Sequence, residues 1–284
     1  MNASEMTFGV EIETIVSYET MANGGLTIGA YHVGSQVPYL PAGWTAQRDG
    51  SLSGNGVGCE IVSPVLRGEA GILQVIEVVR ILRERGHKVN ASCGVHVHVG
   101  WDRNLPSIAL ARLIQIVSYA EAGIYAITGT KSRERGHYCG GIRKYGNDKA
   151  AKLNMDANRY HVLNLVPLSS GRRNAVEFRA FSGSLNATKI VGWIQICLGL
   201  VQRAIVSKRA PKWAPAPLKG GWAKKGPGQS ETERLFGFVA WAGYYDVAGS
   251  NRPGVNFGWV CNAISQEEIK STFRRLAAQY DAQV

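Results

Sequence analysis

The chain has 284 residues, of which 45% are hydrophobic and 19% charged, with a formal net charge of +11. That apolar content suffices for one large domain or two small ones and excludes wholesale disorder, because disordered chains are poor in apolar residues. The longest apolar stretch, Ile190 to Val201, is interrupted by Gln195 and stops short of the roughly 20 residues a bilayer requires, so no membrane span is expected.

Met1 to Glu5 lack the basic start and apolar run of a secretory signal. Five cysteines, Cys59, Cys93, Cys139, Cys197 and Cys261, are widely spaced without a C-x-x-C pair. This argues against a disulfide framework or a structural zinc site and leads us to expect a cytoplasmic protein.

In chain order, Met6 to Val16 reads as a strand with polar alternation through Glu11 and Glu13. Residues 19–43 have no period and read as an irregular or hairpin-like insertion. Trp44 to Arg48 is a short strand before an Asp49-Gly50 turn, and Gly58 to Ser63 is another, stopped by Pro64. Ile72, Val75, Ile76, Val79 and Leu82 form the stripe of an amphipathic helix over Glu69 to Arg85, ended by Gly86. Ser92 to Trp101 is a strand, and Pro106 opens a helix to about Thr128. Two strands, Arg159 to Val166 and Asn174 to Phe181, follow around a turn at Ser169–Gly171.

Asn186 caps a helix to about Lys208. Four of the ten prolines fall in 209–229, a loop, and helices are expected at 230–241 and 265–280. No linker divides the chain, so residues 1–284 are expected to form a single catalytic domain, with a basic loop at 209–229 and a helical C-terminal part over 230–284. The order of elements favours an α+β class: a curved, mainly antiparallel sheet with helices on one face and an open face on the other.

The positive charge is local. Residues 131–159 hold eight Lys/Arg against three acids, and residues 203–225 hold seven with no acid. Such runs are solvated loops or loops over a polyanion, a nucleoside triphosphate or a nucleic acid, and charge alone does not choose.

Polar residues recur at i and i+2 in the strands, where both side chains leave the same face. Glu11 and Glu13, His96 and His98, and Glu177 and Arg179 follow this rule, and Glu60 adds a carboxylate from a fourth strand. Alone, an E-x-E is more often the solvated side of a strand than a ligand pair, an H-x-H is as often surface or structural histidine, and Arg179 could simply pair with Glu177. Four carboxylates and two imidazoles on one face, however, call for a cation among them, and oxygen-rich sets suit Mg²⁺ or Mn²⁺. Two chemistries remain: zinc-type hydrolysis with His96, His98 and a glutamate as ligands, and phosphoryl transfer with Arg179 at the transferred group. No G-x-x-x-x-G-K-[ST] motif occurs, which argues against a P-loop NTPase.

The set Phe8-Gly-Val-Glu-Ile-Glu13, Asp49-Gly-Ser51, Glu60-Ile-Val-Ser-Pro64, Cys93-Gly-Val-His-Val-His-Val-Gly100, Arg159-Tyr-His-Val-Leu-Asn-Leu165 and Val176-Glu-Phe-Arg-Ala-Phe181 resembles the amidoligase family over roughly residues 6–205. These are ATP-dependent carboxylate–amine ligases of bacterial and phage genomes, related to glutamine synthetase and gamma-glutamylcysteine synthetase. The resemblance implies a fold like the glutamine synthetase catalytic domain, with ATP and Mg²⁺ (or Mn²⁺) as cofactors. It implies metal ligation by Glu11, Glu13, Glu60, His96 and Glu177, nucleotide contact by His98, and a phosphate-facing Arg179. Arg133, Arg135 and Arg159 are candidates for holding nucleotide phosphates or the acid substrate. Asp49 either orients substrate, assisting amine deprotonation, or only makes its turn. The expected partners are a small carboxylate, such as an amino acid, and an amine. The alternatives kept open are nucleic-acid binding or modification through the basic loops and metal-dependent hydrolysis.

Overall fold

The structure is a computed structural model and describes residues 3–142, 158–207 and 263–283. The expected helix at 230–241 and the basic loop at 209–229 lie outside the described residues. The architecture is α+β. Its sheet has strands β1 (Thr7–Val16), β2 (Ser35–Gln36), β3 (Thr45–Arg48), β4 (Val57–Val62), β5 (Leu66–Arg67), β6 (Gly94–Gly100), β7 (Leu163–Asn164) and β8 (Ala175–Ser182). Their order is β2-β3-β4-β1-β6-β8-β7, with β5 against the start of β1, and every ladder is antiparallel.

Strand alternation sorts the side chains. Val10 and Ile12 of β1, Val95, Val97 and Val99 of β6, and Val176 and Phe178 of β8 are buried in one continuous core. The helices that cover this core are α2 (Gly68–Glu84), α3 (Ser107–Ala126), α6 (Ala187–Val206) and α7 (Gln266–Asp281). Helix α2 buries the expected stripe at Ile72, Val75, Val79 and Leu82. Helix α6 begins where Asn186 Oδ1 accepts from the Lys189 amide at 3.0 Å. It ends within two residues of the expected Lys208 and, at 20 residues, is long and apolar enough to cross a bilayer, although no span was expected. It is instead enclosed by α2, α3, α7 and β6, which explains why nearly its whole circumference is apolar.

Three expectations needed correction. Residues 19–43 are not wholly irregular, because α1 (Tyr18–Gly24) opens the segment. Ser17 Oγ caps it by accepting from the Thr20 amide, but the helix buries no side chain, so no apolar period marked it in the sequence. The strand expected over Arg159 to Val166 shrinks to β7 and one bridge, His161 to Gly140, and α5 (Val166–Ser169) follows at once. Finally, the register of β6 against β8 steps between Val97↔Phe178 and Val95↔Phe181. Two residues, Arg179 and Ala180, thus oppose His96 alone, as in a β-bulge. The step turns Phe181 into the core, where its ring stacks on Trp193 of α6 at 4.9 Å between centroids.

Candidate active site

In antiparallel strands, residues that stand opposite one another project from the same face. Register therefore assembles the polar residues in rows. Gln47, Glu60 and Glu13 stand side by side across β3, β4 and β1. Glu11 stands beside His96, and Asn164, Glu177, His98 and Gly9 stand side by side across β7, β8, β6 and β1. A single cavity of about 750 Å³ lies over these rows and is lined by Glu11, Glu13, Asp49, Glu60, His96, His98, Arg133, Arg159, Glu177 and Arg179.

His96 sits at the centre. Its Nδ1 lies 3.3 Å from Glu11 Oε2, 3.5 Å from Glu177 Oε1 and 3.7 Å from Glu60 Oε1, while Nε2 is 3.5 Å from Glu13 Oε1. His98 Nε2 is 3.1 Å from Glu11 Oε1. Arg179 Nη1 donates to Glu177 Oε1 at 2.5 Å, and Asn164 Nδ2 donates to Glu177 Oε2 at 2.6 Å. Gln47 Nε2 donates to Glu60 Oε2 at 2.5 Å, and the Gly94 amide donates to Glu13 Oε2. A Cβ on Gly94 would stand 2.9 Å from Arg133 Nη2 and 3.2 Å from Glu13 Oε2, so the absent side chain makes room for both groups.

The carboxylates respond differently to this enclosure. Burial pushes the Glu60 carboxyl up, and the adjacent Glu11 and Glu13 push it further, well above the ordinary value. Burial also opposes ionisation of Glu11 and Glu177, but the charges facing them prevail. His98 and His96 hold Glu11 well below the usual range, and His98 and Arg179 lower Glu177. Burial works against a charged His98, yet Glu11 and Glu177 raise it overall. Unlike charges alternate around the ring, and Glu60 is the acid left among acids.

The donor set fits a divalent cation. Among the described residues, three groups each bring ligand atoms within 4.8 Å of one another: Glu11, His98 and Glu177; Glu11, Glu60 and His96; and Glu13, Asp49 and Glu60. His98 Nε2 faces Glu11, while its Nδ1 is buried without a hydrogen-bond partner among the described residues, which leaves one ring nitrogen of this donor set unsatisfied.

The expected residues are placed unevenly. Glu11, Glu13, Glu60, His96, His98, Glu177 and Arg179 all meet in the cavity. His98, expected at the nucleotide, also brings a ring nitrogen within 4.8 Å of carboxylate oxygens of Glu11 and Glu177. Asp49 makes its turn, accepting at Oδ1 from the Ser51 amide (2.8 Å) and Ser51 Oγ (2.7 Å), and it also lines the cavity.

Arg133 is buried rather than a surface charge. Its Nη2 donates to the Arg179 carbonyl at 2.7 Å and its Nε to the Ala180 carbonyl at 3.4 Å, which ties down the bulge that aims Arg179. Arg135 is exposed and does not line the cavity. It lies two positions from Arg133 on the helical turn α4 (Ser132–Arg135), so the two side chains diverge by about 200°. Arg159 lines the cavity and donates from Nη2 to Tyr31 OH at 2.8 Å, bridging two distant loops.

Sequence reasoning missed Gln47, Asn164, Arg172 and Arg173, which also line the cavity. Gln47 and Asn164 orient carboxylates by register, a relation that no spacing along one strand reveals. Arg173 Nη1 approaches Glu11 Oε1 at 3.3 Å, and the paired arginines after the Ser169–Gly171 turn were its one visible sign.

Comparison with known proteins adds a family and a loose structural likeness. The model of a family described as "Putative amidoligase enzyme" matches residues 41–149. That stretch carries Asp49, Glu60, His96 and His98, while Glu11, Glu13, Glu177 and Arg179 lie outside it, so the match is narrower than the motif resemblance over 6–205. No curated protein matches. Among solved structures, the chain is similar to a bifunctional glutathione synthetase from Pasteurella multocida, with 9% identity and a TM-score of 0.44. The alignment covers 98% of this chain and 48% of the synthetase, so the chain spans about half that protein's length.

Proposed function

We propose that the protein is an ATP-dependent carboxylate–amine ligase that forms an amide bond through an acyl phosphate. The match of residues 41–149 to the amidoligase family supports a ligase. The observation that carries the finer reading is the convergence of four carboxylates, two imidazoles and Arg179 in one cavity that also holds five further arginines. Phosphoryl transfer requires carboxylates to hold cations and guanidiniums to face phosphate oxygens, and this cavity offers both.

Glu11, Glu13, Glu60, His96, His98 and Glu177 would hold divalent ions. When bound, Mg²⁺ or Mn²⁺ would neutralise phosphate charge and polarise the transferred group. A carboxylate oxygen of the acid substrate attacks the γ-phosphorus, the bond from that phosphorus to the β-γ bridging oxygen breaks, and ADP leaves. The amine nitrogen then attacks the acyl carbon, phosphate departs, and the amine loses its proton to give the amide. Arg179 stabilises charge on the phosphoryl oxygens, held in its bulge by Arg133 and against Glu177. Asp49, which also lines the cavity, would receive the amine proton. The arrangement needs no protein nucleophile.

The test is Mg²⁺-dependent ADP release on supplying acids and amines, with amide products read by mass spectrometry. Glu177→Gln should abolish turnover while preserving the fold. Absence of MgATP binding in calorimetry would overturn the reading. So would turnover of amide or ester substrates without ATP in protein carrying one tightly bound zinc, which would instead establish a hydrolase.

A further inference from the structure

A second cavity opens on the same sheet face, with a volume of about 400 Å³. It meets the first at Glu11, His98 and Arg173, which line both. Its floor consists of small residues at the strand ends: Gly9 stands opposite His98, and Gly100 stands opposite Ala175. A Cβ on Gly9 would come within 3.3 Å of Ser63 Oγ, so the space above β1 exists because that side chain is missing. Pro64 and Val65 form a wall, with Val65 80% exposed.

The two cavities differ in charge. Six arginines line the first. Among the described residues, the second is lined by ionisable groups only at the junction, and its other polar side chains, Thr7, Ser63 and Asn174, are neutral. A polyphosphate is stabilised among guanidiniums and gains nothing in an uncharged groove. Arg173 is the one guanidinium common to both cavities among the described residues, and it reaches Glu11 with its side chain still 58% exposed. His98, whose Nε2 faces Glu11 at 3.1 Å, lies at the same junction.

We propose that the smaller cavity takes the acid substrate, and that this acid is a monocarboxylate with an uncharged aliphatic body. The inference rests on the ligase reading and names its substrate class. The carboxylate lies at the junction beside Arg173, facing the phosphate-binding side, and the aliphatic body lies along Gly9, Gly100, Ala175 and Val65. A dicarboxylate would have to carry its second charge along a groove whose described lining holds no cation beyond the junction.

Binding of butanoate, hexanoate and glutarate to the full chain, read by ligand-observed NMR with Mg²⁺ and a non-hydrolysable ATP analogue, tests this. Burial of a methylene corresponds to about fourfold in affinity, so hexanoate should bind more than tenfold tighter than butanoate and also tighter than glutarate. Ala175→Leu, which fills the groove, and Val65→Glu, which charges its exposed wall, should each weaken hexanoate at least tenfold and leave the nucleotide analogue within twofold. Unchanged hexanoate affinity in both variants, indifference to chain length, or a preference for glutarate overturns the proposal. Nucleotide binding retained alongside any of these results sinks the groove alone, whereas a wild-type protein that binds no nucleotide analogue sinks the ligase reading beneath it.

Discussion

Two glutamates about equally buried in the same cavity should respond oppositely to substitution. Glu177 receives hydrogen bonds from Arg179 and Asn164, with Arg179 and Glu177 only 10% and 5% exposed at their side chains. Glu177→Ala leaves that guanidinium buried without its acceptor, and breaking a buried pair in this way costs about 3–5 kcal/mol. For a chain of this size each kcal/mol corresponds to roughly 2–4 °C in Tm, so a fall of roughly 6–20 °C is expected. Glu60 instead faces Glu11 and Glu13, and its amide replacement still offers an oxygen to Gln47. Glu60→Gln in metal-free protein should therefore be neutral or stabilising.

The balance reverses when a cation binds. At a hundredfold excess over its Kd, Mg²⁺ or Mn²⁺ should stabilise the wild type by about 2.7 kcal/mol, and Glu60→Gln should lose most of that gain. Urea unfolding of both variants and the wild type, in chelator and in metal, measures each term. Refutation would be a Glu60→Gln protein as damaged in chelator as Glu177→Ala, or an equal response to metal in Glu60→Gln and wild type.

His87 is buried, its Nδ1 3.0 Å from Thr14 Oγ1 and its Nε2 3.1 Å from Tyr39 OH, and burial lowers its pKa to about 4. The unfolded chain takes up this proton first as pH falls, so stability should drop by about 2–3 kcal/mol between pH 7 and pH 4.5. Urea titrations should find that increment missing from His87→Gln. Arg179→Lys keeps the charge but loses the planar fork toward phosphate, and kcat for ADP release should fall about 10²–10³-fold; unchanged kcat would move the phosphoryl group elsewhere. Phe273 of α7 packs at Gly192 of α6, where an added Cβ would stand 2.6 Å from its ring. Phe273→Ala should cost about 3–5 kcal/mol in denaturant unfolding, and no change would mean that α7 unfolds apart from the sheet.

Much of this protein was already legible in its sequence. Where one face of a strand is buried and the other carries chemistry, the period of two writes itself into the residues, as in Val95 to Val99 around His96 and His98. The same holds for the α2 stripe and the Asn186 cap, which depend on contacts a few residues apart. From these came the α+β class and the set of polar side chains on the open face. Helix α1 stayed hidden because it buries no side chain, and the strand before β7 was overread because its apolar run packs without forming a ladder.

Tertiary structure alone decided which groups meet. Gln47 reaches Glu60 and Asn164 reaches Glu177 only through strand register. Arg133 turns inward while Arg135 faces solvent because two helical positions, about half a turn, separate them, and sequence treats both as equal charges. The register step at Arg179 and Ala180 had no signal of its own, yet it sends Phe181 into the core. Hydrophobic period is a local property carried by each strand separately. Pairing between strands is set by the packing of the whole sheet, and that pairing turns scattered acids, imidazoles and guanidiniums into one cavity.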